Sequence, residues 1–264
     1  MFKKWLMLAG LLLIIGFTGA LLTAKSYFTQ QNESFKETKR FQSAEIQSIE
    51  VSSSVGTITF TETTGDEIIV ETTRSKTSEP IKIKVEQDLL SITNKADRRL
   101  SFGINFKKSS GDITVYLPKK QYERITASSN VGGIKMNQTE TVHLDVESDV
   151  GDIDLHDIST TSLRVSSKLG DVSIRDYSGK LEVENNMGDI EISSDKVTQP
   201  LIAHNDVGDI SLTINQAQKD LFISADSEIG DTRIFDKNTG SYKSGNGSIT
   251  VELRTELGDI QVNE

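Results

Sequence analysis

Five aspartates recur at nearly equal spacing, Asp152, Asp171, Asp189, Asp209 and Asp231, each directly after a glycine. If equivalent corners of a coil carry them, neighbouring carboxylates lie about 5 Å apart. Charges that close raise one another's pKa or attract cations. Calcium suits such oxygens but asks for roughly six to eight of them. Calcium-binding rolls place a Gly-rich Asp turn at both corners of a period of about nine residues. Here one Asp comes every 18 to 22 residues. Capping of turn amides by the Asp side chain is the simpler reading. The five are read as turn caps first and as weak calcium candidates second, and no cofactor is expected.

Other chemistry has little support. The chain has no cysteine, so thiol nucleophiles, thiolate metal sites and disulfides are excluded. Its three histidines are His143, His156 and His204. No Gly-x-Ser-x-Gly, His-Glu-x-x-His or phosphate-binding Gly-Lys-Ser/Thr motif occurs. The chain is read as a non-enzyme. A net charge of −10 speaks against nucleic-acid binding.

The aspartates belong to a repeat, apolar-x-apolar-x-x-x-apolar-Gly-x-apolar-x-apolar. Residues 163–174 show it in full: Leu163, Val165, Leu169, Gly170, Val172 and Ile174. Instances begin at Ile49, Ile104, Ile125, Leu144, Leu163, Leu181, Leu201, Ile223, Gly240 and Val251. Gly132, Gly151, Gly170, Gly188, Gly208 and Gly230 mark successive corners, 18 to 22 residues apart. Alternation of apolar residues puts them on one face of a strand. A fixed period with one strand-corner-strand unit predicts a solenoid. The fold class is therefore all-β, a two-sheet β-solenoid with turns of about 19 residues.

Each turn has two corners. The one holding the glycine has constant length and carries Ser, Thr or Asn three residues before it, as at Ser148, Ser167, Asn185 and Asn205. These should stack as a polar ladder. The apolar residue just before the glycine (Val150, Leu169, Met187, Val207, Ile229) is expected to turn inward, and the glycine to take positive φ. The opposite corner varies, as in Arg175–Lys180 and 215–222. Variable corners on a rigid frame are where recognition is expected, and Tyr177 and Phe222 there are candidate partner contacts.

Residues 61–103 fit the repeat poorly and predict three further strands, around Ile68–Val70, Ile81–Val85 and Leu89–Ile92, forming a less regular N-terminal section. Residues 251–264 are expected to fold back as a C-terminal cap that protects the sheet edge. The solenoid domain as a whole is placed at 44–264.

Ahead of it, Lys3 and Lys4 precede an uncharged run from Trp5 to Ala24. As a helix of about 30 Å this matches the hydrocarbon core of a bilayer. Residues 1–25 are read as one uncleaved transmembrane anchor, with a cleaved signal as the alternative. The basic start places the N-terminus in the cytoplasm and the solenoid outside. The polar stretch 26–43 is read as a linker.

The anchor, the start at Ile49, the phrase Gly111-Asp-Ile-Thr-Val-Tyr-Leu-Pro-Lys119 and the serial Gly-Asp-Ile/Val turns together resemble a bacterial domain-of-unknown-function family labelled as candidate adhesins. More narrowly, they are similar to LiaG-like membrane-anchored proteins. The resemblance covers about residues 44–264 and implies a β-solenoid on the outer face of the membrane, associated with envelope stress. It carries no catalytic residues. The function expected is a binding or structural module at the cell envelope, contacting wall polymer or a membrane protein. The alternative is an accessory in envelope-stress sensing.

Overall fold

Alternating apolar residues make strands of most of the described chain. The computed structural model describes residues 34–75, 78–94 and 110–264. The run Trp5–Ala24, expected to cross the bilayer, lies outside them, as does the first half of the instance starting at Ile104, whose second half is the strand Gly111–Pro118. Among the described residues no helix is long and apolar enough to cross a membrane.

The predicted coil is present. Strands stack in parallel with matching positions in register, such as Leu163 on Leu144 and Leu181, and Val172 on Ile153 and Ile190. The described strands join one continuous 19-stranded sheet and not the two sheets expected, because strands such as Val172–Met187 run on through the variable corner. Their inward residues form one continuous core. Ile58, Ile134, Ile153, Val172, Ile190 and Ile210 fill a single column of it, each at most 1% exposed. Residues of like shape stacked at strand spacing leave little unfilled volume, so aliphatic side chains suffice.

The rungs are not stacked in chain order. Strand Ser48–Ser53 lies between Leu89–Asn94 and Tyr122–Ser129, parallel to both. At the other end Ile249–Leu257 lies between Leu201–Val207 and Leu221–Ile229, again parallel to both. Its companion Ile260–Asn263 is likewise inserted between Ile210–Ile214 and Thr232–Ile234. Residues 251–264 are thus an internal rung and not the expected cap. Every rung shows neighbours the same apolar spacing, so a late strand can pair at an interior position as well as at the end. The closing strand is instead Ser241–Ser244, antiparallel to Leu221–Ile229. The instance begun at Gly240 is therefore an edge strand and not a coil.

The N-terminal section follows its three predicted strands, Glu67–Ser75, Lys82–Glu86 and Leu89–Asn94. The first two run antiparallel to their partners. The third is a regular rung in which Asn94 pairs with Ser53 and takes the ladder position. Part of the expected linker is also strand: Ser34–Gln42 pairs along its whole length with Glu67–Ser75. Phe41 packs on the core and Arg74 stacks 4.7 Å over the Phe35 ring, so this stretch has the apolar anchorage that its polarity conceals.

Candidate functional site

The fixed corner begins with the polar ladder. Ser53, Ser148, Ser167, Asn185, Asn205 and Thr255 are buried. Asn205 donates from Nδ2 to the Gly188 carbonyl at 2.9 Å, and Thr255 from Oγ1 to the Gly208 carbonyl at 3.0 Å. The ladder side chains fill the inside of the bend. Asn185, Asn205 and Thr255 also tie their corner to the neighbouring rung, whereas the Ser148 and Ser167 hydroxyls are buried without a hydrogen-bond partner.

The glycine is required because its backbone turns with positive φ and lies against the rung beside it. At Gly208 φ is +135°, and an added Cβ would come within 2.1 Å of the Gly188 carbonyl oxygen. L-residues resist the first condition and no side chain survives the second.

The aspartates form a chain of their own. The N–H of Asp171 donates to Oδ1 of Asp152 at 3.1 Å, that of Asp189 to Asp171 at 2.9 Å, and that of Asp209 to Asp189 at 2.9 Å. The chain continues through Asp259 to Asp231, at 2.7 and 2.8 Å. Asp259 enters because its rung is inserted there. The capping crosses from rung to rung instead of closing each turn on itself. One oxygen of each accepting carboxylate is thereby committed to a peptide amide.

The apolar residue before each glycine points outward, contrary to expectation. Val150, Leu169, Met187, Val207 and Ile229 are all exposed, Ile229 to 67%, and Val55, Val131 and Leu257 join them. The reason lies in the ladder: Ser or Asn already occupies the inside of the bend, so the next apolar residue is left outside it. Their carbonyls accept from glycine amides one rung away, which fixes the order Val55, Val131, Val150, Leu169, Met187, Val207, Leu257, Ile229. At about 4.8 Å per rung this ridge runs roughly 34 Å along the edge. The Asp chain borders it on one side. On the other lie Asp149, Asp206, Glu256 and Glu228, interrupted by Asn186 and by Lys168, whose ammonium is 2.6 Å from Asp149.

Among the described residues one group could hold a metal ion: His204 and Asp206 from one rung and Glu256 from the next, with ligand atoms within 4.8 Å of one another. His204 Nε2 is 3.3 Å from Asp206 Oδ1, and Asn186 donates to the other carboxylate oxygen at 2.8 Å. None of the five calcium candidates belongs to it. His156 stands apart, with Nδ1 2.9 Å from Asn137 Oδ1.

The variable corner differs from expectation. Residues 175–180 lie within the uninterrupted strand Val172–Met187, bent at Asp176 with φ 53°. Tyr177 is not a surface contact: it stacks in register on Ile158 inside the corner and is 7% exposed. Burial pushes its phenol further up from its ordinary value. Phe222 is exposed, beside Gly247.

This all-β coil with a glycine corner defines a class. The chain matches the Toastrack DUF4097 family over residues 46–149 and again over 129–263, and it belongs to that family. No curated relative matches it. Solved structures with a similar fold include a candidate cell adhesion protein from Clostridium sporogenes, 14% identical over 88% of this chain and 99% of that one, TM-score 0.45. A candidate adhesin from Bacteroides fragilis is 17% identical over 87% and 97%, TM-score 0.44. A candidate lipid-binding protein from Parabacteroides distasonis is 13% identical over 86% and 97%, TM-score 0.26. At these levels none carries an argument about function.

Proposed function

We propose that this protein is a membrane-anchored, extracytoplasmic binding module of the bacterial cell envelope, held by one N-terminal helix at Trp5–Ala24 and contacting its partner through the fixed-corner edge. The observation that carries the reading is the apolar ridge. A contiguous exposed apolar patch on a soluble protein is often a binding surface, and here every rung from Gly56 to Gly230 adds one large apolar side chain to the same line. The rungs behind it are hydrogen-bonded on both sides, so the ridge is presented by a rigid frame. Lys3 and Lys4 ahead of the apolar run favour a cytoplasmic N-terminus.

The test is photo-crosslinking in cells from a probe residue at position 169, with surface proteolysis to establish topology. The expected result is a partner captured outside the membrane and lost with Met187→Ser/Leu257→Ser. A cytoplasmic solenoid, or capture indifferent to those changes, overturns the reading. The second reading, an accessory in envelope-stress sensing, draws on the same anchor. It predicts an altered stress-reporter response in cells lacking the chain.

A further inference from the structure

We infer that the occupant of the ridge is a cationic amphipathic helix of a partner protein or peptide; this rests on the binding-module reading and names its partner. Three features select it. The first is charge. Along the six rungs from Val150 to Ile229 the ridge is bordered by the Asp chain on one side, and by Asp149, Asp206, Glu256 and Glu228 on the other. The lysine and the arginine at that border are already paired, Lys168 with Asp149 and Arg254 with Glu228, each at 2.6 Å, which leaves Asp206 and Glu256 to face a partner there alongside the Asp chain. An apolar line between two anionic rows complements an apolar stripe between two cationic rows.

The same charges disfavour the other occupants. A second copy would bring its own acidic rows against these. An anionic bilayer surface would be repelled while the ridge tried to enter it.

The second feature is pitch. A helix returns an apolar residue to one face about every 5.4 Å, against a rung spacing of about 4.8 Å. The mismatch is roughly 0.6 Å per rung, so four contacts stay in register. An extended strand repeats on one face about every 6.8 Å and loses register at once. The third is shape. The ridge is one residue wide, so it fits between two rows of side chains on a helix. The bordered section spans about 24 Å, or some 16 residues of helix.

The experiment uses the full-length chain in neutral detergent. The probe is a labelled 18-residue amphipathic peptide with a Leu stripe flanked by Lys, read by fluorescence anisotropy. Its Lys→Glu counterpart and a scrambled peptide of the same composition are the controls. Expected are saturable binding of the Lys peptide only, weakening at least tenfold in Leu169→Ser/Met187→Ser/Leu257→Ser, and a fall of similar size between low and high salt. These side chains are exposed, and an unchanged unfolding midpoint shows that the variant is folded. Equal binding of all three peptides, or binding untouched by the ridge changes, overturns the inference. So does ridge-dependent flotation with vesicles of neutral or anionic lipid, or ridge-dependent dimerisation in sedimentation. If the peptides fail but the cellular crosslink at position 169 still needs the ridge, the binding-module reading stands and only the partner class falls. If both fail, the module reading falls with it.

Discussion

The N–H of Asp189 is held 2.9 Å from Oδ1 of Asp171, one rung away. The carboxylate that looked like a metal ligand is thereby a staple between rungs. Asp171→Ala removes the acceptor and leaves the Asp189 amide to water. A hydrogen bond to a charged group contributes roughly 1.5–3 kcal/mol, with exposed ones at the low end. A loss of about 1.5 kcal/mol in urea unfolding is expected, with Asp171→Asn milder because its amide oxygen still accepts. Millimolar calcium should leave the unfolding midpoint of the wild type unchanged. A rise with calcium would return the aspartates to the role of ligands.

Gly170 and Gly65 separate two reasons for a glycine. Both have positive φ, +143° and +125°. A Cβ on Gly170 would meet the Gly151 carbonyl oxygen at 2.5 Å, whereas one on Gly65 meets nothing within 4 Å. Gly65→Ala is expected to cost about 1 kcal/mol of conformational strain. Gly170→Ala must also push two rungs apart, and a cost of at least about 3 kcal/mol is expected. Equal effects of the two in thermal unfolding would mean that rung contact is not what demands the glycine.

Part of this was legible from the chain. Period-two pairs such as Leu181/Val183 and Ile190/Ile192 define strands, and the glycine spacing defines the rung, because both are local requirements. The orientation of Leu169 was not, because alternation alone counts it inward. Only the buried Ser167 beside it, at 1% exposed, shows that the inside of the bend is already full. The order of the rungs was hidden for a different reason. Val251 presents to Leu201 the same shape that Ile223 would, so no periodic signal distinguishes the true neighbour. Tyr177 was misplaced because residues 175–180 read as a loop. Its register with Ile158 is visible only once the bend at Asp176 is known.

Tyr177 offers a clean measurement. Its hydroxyl is buried with no hydrogen-bond partner, while the ring fills the corner. Removing an unpaired buried hydroxyl relieves a desolvation penalty of about 1–3 kcal/mol. Tyr177→Phe should therefore be neutral or stabilising by up to about 1 kcal/mol, because some of that penalty is offset on relaxation. Tyr177→Ala should cost about 3–5 kcal/mol through the cavity it leaves. Destabilisation by Phe would reveal a partner for the hydroxyl.

Asp220 accepts from the backbone N–H of Ser248 at 3.1 Å and closes the turn before the inserted rung. That hydrogen bond holds its carboxyl below the ordinary value of 3.8. A depressed folded-state pKa gives a stabilisation present above the unfolded value and lost as pH falls through the folded one. Asp220→Ala should therefore lower the unfolding midpoint at neutral pH, and the difference from wild type should shrink as the solution is acidified below that range. A difference independent of pH would show that the carboxylate charge plays no part.

The inserted rung makes the strongest structural prediction. The amides of Gly208 and Ile210 donate to the carbonyls of Leu257 and Asp259, at 2.8 and 2.9 Å. In a solenoid stacked in chain order, removing the last strands shortens one end and leaves the interior protected. Here, deleting residues 249–264 takes out the layer between strands Leu201–Val207 and Leu221–Ile229. The second of these then keeps only its antiparallel partner Ser241–Ser244. Hydrogen exchange at Gly208 and Ile210 should rise by orders of magnitude, and residues 221–244 should lose protection together. Retained protection at Gly208 would require the rung of residues 221–234 to close the gap directly onto 201–214, in the order that the chain itself suggests.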